Sequence, residues 1–515
     1  MITAIYSVAG VVGVLLGLDL WFRRKYDPRE PATVAPSIPL IGHLIGFAKH
    51  ATGYAAMISV GRADEIFAIN FFNFRIYIIN SRHLIPAVQK NKSLSFAPFQ
   101  KQFAGSLTSP SKHTLDLFDT EHIHDVTRVQ LAAWTPGKDL DHQNLRAADT
   151  LMVEMEKLIG QISGQGGAAV ADLWEWTRYS NMIAATNGIY GRMNPMRDSE
   201  IWGSFLTWYP NLMRHLSGYP SFLLKESSKA RDKFLESFYT YLQNDHSDAG
   251  EVIFARERLY TRDHVPVKDM ASSQALFTVG LIGNLSPTVF WTVWDIFSRP
   301  QLLAEVREEL ERIAVTRYDG ENGPEFELDI AALKTRCPLL LSAHEETQRT
   351  RFRHANVRQV MEDTTLDGRH WLKKGSMLII PNKMIHSHPE IWGANAREYD
   401  PRRFTSEKGL PIGRSALSTS YAFLAWGTAP TLCPARQFAA TQILLFTALM
   451  VLRFEVDPMY GGGQWKEPKL ATGALAVIEP PDEKIDVRFR NRQGAEGSWR
   501  LKMGESKARV PLASG

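Results

Sequence analysis

AFLAWGTAPTLCPARQFAATQILLFTALM, residues 422–450, is the stretch on which the reading of this chain turns. A loop carrying Gly427 and Pro430 delivers Cys433 just ahead of an apolar segment, Gln437 to Leu452, that predicts a long helix. A thiol there meets backbone N–H groups and the positive end of the helix dipole. Both lower its pKa and favour the thiolate, the form a soft transition metal takes as a ligand.

The chain has one other cysteine, Cys337, so a disulfide framework and a four-cysteine zinc site are ruled out. That count fits a domain in a reducing compartment. Cys337 lies in RCPLLLSAHEE, an apolar run entering a helix, and reads as a buried structural thiol. None of the 15 histidines is paired at i, i+4 in a metal-like setting, so no histidine ligand is expected. A single-cysteine ligand set points to haem iron rather than zinc or an iron–sulfur cluster.

Outward from that loop, 515 residues at 44% apolar content suffice for one large domain or two ordinary ones. A net charge of +4 is small for the length, and no basic cluster interleaved with aromatics tracks a phosphate backbone, so nucleic acid is not an expected partner. Ile2 to Phe22 is almost uninterruptedly apolar, with Asp19 its only charge, and Arg23, Arg24 and Lys25 follow. This predicts a transmembrane anchor over residues 1–24, the body of the protein lying on the cytosolic side. A cleaved signal peptide fits less well, because no basic segment precedes the apolar run and no small-x-small site clearly follows it. Pro28, Pro31, Pro36 and Pro39 then predict a semi-rigid, non-helical stalk over residues 25–50.

EIFAINFFNFRIYIIN, from Glu65 to Asn80, predicts a β-hairpin, and the pattern from His83 to Arg312 is mostly helical. Within it, Ile201, Phe205, Trp208 and Leu212 share one helical face. Ordinary core packing and a greasy lid over an apolar channel beside the membrane are both open readings. Asn91 and Asn284 open Asn-x-Ser sequons, the second inside a predicted buried helix where glycosylation has no access. Short β-type runs return after Arg353, and the tail 494–515 is polar and expected to be loosely ordered. The fold class is mostly α with smaller β-sheets.

WGTAPTLCPAR resembles the haem-binding loop of the cytochrome P450 family, F-x-x-G-x-R-x-C-x-G. Trp426 takes the aromatic place seven before the cysteine; Ala429, Thr431 and Ala435 depart from the usual Gly, Arg and Gly. Such variants are most similar to those of cholesterol 7α-hydroxylase and prostacyclin synthase. Glu346 and Arg349 in HEETQRTR resemble the family's Glu-x-x-Arg pair, and YDPRRF its Pro-x-Arg-Phe segment. The resemblance implies a Glu346, Arg349, Arg403 triad that pins the region beneath the haem. The run from the GSMLIIPN strand through His386, Pro389 and Glu390 keeps the family's order. By this likeness residues 51–493 form a haem-thiolate domain, with Cys433 the axial ligand of a haem b iron. Arg358, twelve residues after Glu346, would reach a haem propionate. Arg128 in HIHDVTRVQLAAW resembles the propionate-binding arginine of W-x-x-x-R, with His124 in place of the tryptophan.

On the distal side, GNLSPTVFW is similar to the helices of prostacyclin synthase and the sterol 7α-hydroxylases. Ser286 and Pro287 stand where the family usually carries an acid and a threonine. A mid-helix proline frees a carbonyl and kinks the axis. Asn284, Ser286 and Thr288 are the candidate catalytic polar groups, Asn284 either addressing bound oxygen or substrate or satisfying the backbone at the kink. The resemblance implies a monooxygenase of the endoplasmic reticulum membrane, taking electrons from an NADPH-dependent membrane reductase and contacting lipid. Its substrate would be apolar, sterol-, terpenoid- or polyketide-like, as in fungal natural-product biosynthesis. A haem isomerase or dehydratase without external electrons is the alternative, and a catalytically silent haem-binding membrane protein a third.

Overall fold

The computed structural model describes residue 17 and residues 27–513 apart from 37, 39–40, 51–52, 72–73, 322, 407–420, 472–474 and 505–506. The expected anchor, residues 1–24, therefore lies outside the described residues except at residue 17. Among the described residues, one helix is long and apolar enough to cross a membrane, Val267–Phe297, and most of it is buried inside the protein as a core element.

The β-rich run after the stalk forms the expected hairpin, β1 (Ile66–Phe71) with β2 (Phe74–Ile79), in register Ile66 to Ile79. Three further strands complete a sheet: β3 (Leu94–Ser95), β4 (Ala355–Val360) and β5 (Met377–Pro381), in the order β1-β2-β5-β4-β3. β5 runs parallel to β2 and antiparallel to β4. Ile66, Phe67, Ile69, Tyr77 and Ile79 are all buried, so this small sheet has apolar contacts on both faces.

The stalk departs from expectation in two ways. Its extended part lies along the edge of β1, where Val34 and Ala68 exchange backbone hydrogen bonds with Ala68 and Ala32 at 2.8 Å. Glu30 also pairs with Arg75 at 2.7 Å. Extended, proline-set backbone has free N–H and C=O groups, and an edge strand offers them partners. Between Pro39 and residue 50 the chain carries no further proline, and Gly42–His50 is helical rather than part of a rod.

The body is a stack of helices in which seven matter for the site: α1 (His122–Ala133), α2 (Leu173–Tyr190), α3 (Ser199–Trp208), α4 (Lys225–Gln243), α5 (Val267–Phe297), α6 (Pro338–Arg351) and α7 (Arg436–Arg453). α5 is apolar on all sides because α2, α4, α6 and α7 pack around it. α7 runs from Arg436 to Arg453, close to the helix predicted there, and every residue from Gln437 on is buried. The architecture is mostly helical with small sheets, as expected.

The tail is not loose. Ser498–Lys502 adds a parallel strand to Gly323–Asp329, and Val510, Leu512 and Ala513 are buried. Gln437 clamps Val510 with two bonds of 2.9 and 3.0 Å, and the Ala513 N–H donates to Glu345 at 2.5 Å. Scattered apolar residues in a polar segment had no periodicity to reveal this; the partners come from α6 and α7.

Candidate functional site

Cys433 sits at the end of a two-strand hairpin, β6 (Gly427–Thr428) and β7 (Thr431–Leu432), paired Gly427 to Leu432. The turn between them contains a cis Ala429–Pro430 bond. Gly427 lies at φ 90°, and a Cβ there would stand 2.9 Å from the Thr431 carbonyl, so only glycine fits. The Cys433 N–H donates to the Trp426 carbonyl at 2.8 Å, which closes the hairpin and leaves the thiol just ahead of α7.

The thiol's pKa runs against the expectation from the helix dipole. Burial pushes it up, outweighing the Ala435 N–H and the Arg436 charge that hold it down. Loss of hydration for a thiolate exceeds what one N–H and one cation return. A coordinating metal ion reverses that balance by taking the charge itself.

Arg358 reaches the same hairpin from β4. Its guanidinium is buried and donates to the Thr428 carbonyl at 3.1 Å and to the hydroxyls of Thr428 and Thr431 at 2.7 and 2.5 Å. Among the described residues no carboxylate pairs with it, and burial pulls its pKa down to about 10. A buried cation without counter-charge is costly unless something anionic joins it. Trp426 is buried beside the hairpin, its indole N–H without a hydrogen-bond partner among the described residues. A soft sulfur, an uncompensated guanidinium and an unused donor in one loop fit a metal-bearing cofactor with carboxylate substituents.

Arg128 does not join them. Its side chain is 70% exposed on α1 and paired with Asp125 one turn earlier, the solvated-face arrangement.

Behind the hairpin, the three residues of the expected triad meet. Arg349 grips Glu346 bidentately at 2.7 Å on both oxygens, and Arg403 adds a 3.1 Å contact. Glu346 is fully buried, and the Asp400 N–H also donates to it at 2.9 Å. Arg349 further donates to the carbonyls of His386, Ala396 and Glu398, and Arg403 to those of Trp392 and Asn395. His386 carries this network to the cysteine loop: its Nε2 accepts the Leu424 N–H at 2.9 Å, and its ring stacks on Phe423. Burial, with Arg349 nearby, pushes the imidazole down to about 3, so it stays neutral and its nitrogen stays an acceptor. The order of motifs contains His386, yet nothing in the sequence marks it as the connector.

The distal candidates are engaged elsewhere. Asn284 Oδ1 accepts the Val477 N–H and its Nδ2 donates to the Gly280 carbonyl, both at 3.0 Å. Ser286 receives the Asn181 amide of α2 at 3.3 Å. Thr288 donates back to the Asn284 carbonyl at 2.8 Å. The proline-freed carbonyl of Gly283 takes the hydroxyl of Tyr209 at 3.2 Å, a residue that pattern reading did not single out. A glycine four residues before a proline in one helix marks the freed carbonyl, but nothing in that spacing names residue 209.

Ile201, Phe205, Trp208 and Leu212 are all buried, so that face packs as core. Tyr219, Phe222 and Leu223, beyond it, are exposed.

The family model described as Cytochrome P450 matches residues 33–485. A cytochrome P450 monooxygenase, nodJ, of Hypoxylon pulicicidum is 30% identical over 98% of this chain and 98% of its own length. A cytochrome P450 monooxygenase of Gibberella zeae is 27% identical over 94% and 93%, and Cytochrome P450 7A1 of Rattus norvegicus is 25% identical over 53% and 56%. Among solved structures, the heme domain of a cytochrome P450DA mutant superposes with TM-score 0.67 at 14% identity, covering 91% of this chain and 98% of that one.

Proposed function

Because this chain belongs to the cytochrome P450 family, we propose that it is a haem-thiolate monooxygenase that oxidises an apolar small molecule in natural-product biosynthesis. Its prosthetic group is a haem iron, and we take the form to be haem b. Cys433 would hold the iron, Arg358 a haem carboxylate, and Trp426 would offer its indole N–H to the same group. When bound, the haem would supply activation of dioxygen, helped by electron density from the Cys433 thiolate.

The chain's own residues set the conditions for that chemistry. Glu346, Arg349 and His386 hold the loop that carries the sulfur, so its position does not depend on the cofactor alone. Arg358 stands on the hydroxyls of Thr428 and Thr431, oriented before any anion arrives. α5 would line the site with the apolar residues around Leu281, Leu285 and Val289. Asn284 and Ser286 act here by fixing that helix to Val477 and Asn181, while Thr288 bonds within the helix to the Asn284 carbonyl. The single observation carrying the reading is the uncompensated Arg358 on the hairpin that ends in Cys433.

The redox partner is an NADPH-dependent membrane reductase, and the protein is held at the endoplasmic reticulum membrane, single-pass with its catalytic domain cytosolic. The apolar run Ile2 to Phe22 and the exposed Phe222 and Leu223 support contact with lipid. We take the substrate to be sterol-, terpenoid- or polyketide-like; the relatives named as monooxygenases support the oxygenation itself.

The reduced carbon-monoxide difference spectrum tests the ligand assignment. The full-length protein is expected to give the thiolate band and Cys433→Ser to lose it; an unchanged band with normal haem content in the variant overturns the assignment. One observation favours a second reading, a haem isomerase or dehydratase: position 287 carries no hydroxyl and Ser286 is turned to Asn181. Product formed without reductase and NADPH would decide for it.

A further inference from the structure

Along α5 the threonines share one habit. Thr278, Thr288 and Thr292 each donate a hydroxyl to the carbonyl four residues back, Gln274, Asn284 and Thr288, at 3.1, 2.8 and 2.8 Å. Position 287 breaks the series twice over. Proline has neither a hydroxyl nor an N–H, so the Gly283 carbonyl loses both the helical bond and any side-chain substitute.

A hydroxyl reaches that carbonyl from another element. Tyr209, at the end of α3, donates to Gly283 O at 3.2 Å. The approach is built in. A Cβ on residue 283 would stand 2.4 Å from Tyr209 Oη and 2.7 Å from its ring, so glycine is required for the phenol to enter. The ring is held in line by Phe205 at 5.1 Å and 21°, itself stacked on Trp202 at 5.4 Å and 10°. Burial pushes the phenol's pKa well up, so it remains a donor throughout the working range.

We propose that Tyr209 is a positioning residue that supplies the Gly283 carbonyl with the hydroxyl Pro287 withholds, and so ties the roof segment Ile201–Leu224 to the distal helix. Lifting the roof and freeing the 283–287 turn are then one event. The inference rests on the reading of α5 as the wall above the cofactor, but the bond is a feature of the chain alone.

The two halves of the tie can be separated. In full-length protein, Tyr209→Phe is expected to speed amide exchange over residues 283–289 by roughly five- to tenfold, the loss of one buried hydrogen bond, and to raise the association rate of 4-phenylimidazole, read from the Soret shift, by a similar factor. Adding Pro287→Ala restores an N–H to the Gly283 carbonyl. It should return exchange to the wild-type rate while association stays fast, since the roof remains untied. Gly283→Ala, which evicts the phenol without removing it, should reproduce both changes. Unchanged exchange in Tyr209→Phe, or failure of Pro287→Ala to restore it, overturns the proposal. So does an association rate that follows exchange back to wild type. The exchange arm needs no haem-thiolate assignment, so failure of that assignment is read separately from failure of this one.

Discussion

The two sides of α5 are built on opposite principles. On the side of α6 and the cysteine hairpin, charged groups converge: Glu346, Arg349 and Arg403 satisfy one another and five backbone carbonyls, and His386 passes the constraint to the loop. On the distal side the polar groups bond separately, Asn284 to Val477 and Gly280, Ser286 to Asn181, Gly283 to Tyr209. The first region is rigid through cooperation. The second is a set of separate bonds, each removable without the others, which suits a wall that must admit a ligand.

The contrast breaks most directly at Glu346. Glu346→Gln leaves the buried Arg349 and the half-buried Arg403 without a carboxylate, and a loss of about 3–5 kcal/mol is expected in denaturant unfolding; a loss under ~1 kcal/mol would deny the cooperation claimed for that side.

Next is Glu345, which meets the docked tail. Burial raises its carboxyl to about 8 in the folded protein. A carboxyl with a raised folded pKa keeps its proton longer when native, so its contribution is full below about pH 4.5 and is lost as pH climbs through 8. Melting temperature in Glu345→Gln, which retains an acceptor for the Ala513 N–H, should fall less than wild type between pH 5 and 8. Parallel pH profiles would show that the carboxyl does not titrate with folding.

Arg358→Met keeps bulk and removes the charge. Haem should dissociate roughly 10- to 100-fold faster, the equivalent of about 1.5–3 kcal/mol for charge-assisted bonds, with the hairpin otherwise folded. An unaltered rate measured by haem transfer to apomyoglobin would separate Arg358 from the cofactor.

The smallest effect belongs to the distal wall. Asn284→Ala should cost about 1 kcal/mol of stability, the bond to Val477, with turnover within about twofold. A collapse in turnover at unchanged stability would return Asn284 to the chemistry.

The two regions were unequally legible. Glu346 and Arg349 are three apart on a helix, and helical geometry alone puts them together. The cysteine loop announced itself by glycine, proline and an apolar helix. Arg128 is paired with Asp125, a neighbour that the same i, i+3 logic offers it. Asn284 and Ser286 misled because their partners come from residues 477 and 181, far along the chain. The docking of the stalk and tail was equally hidden: prolines and polar composition describe a segment by itself, not the edge strand or helix pair waiting for it.

From the sequence alone came the helical majority, the hairpin at Glu65 to Asn80, the long α7 and the family, because periodicity, turn residues and motif order act over short distances. Tertiary structure alone decided where polar groups point, that burial outweighs the Ala435 N–H and the Arg436 charge at Cys433, and that Tyr209 answers Pro287. Hydrogen bonds and desolvation depend on which atoms are brought within a few ångströms, and that is fixed only once the chain has closed on itself.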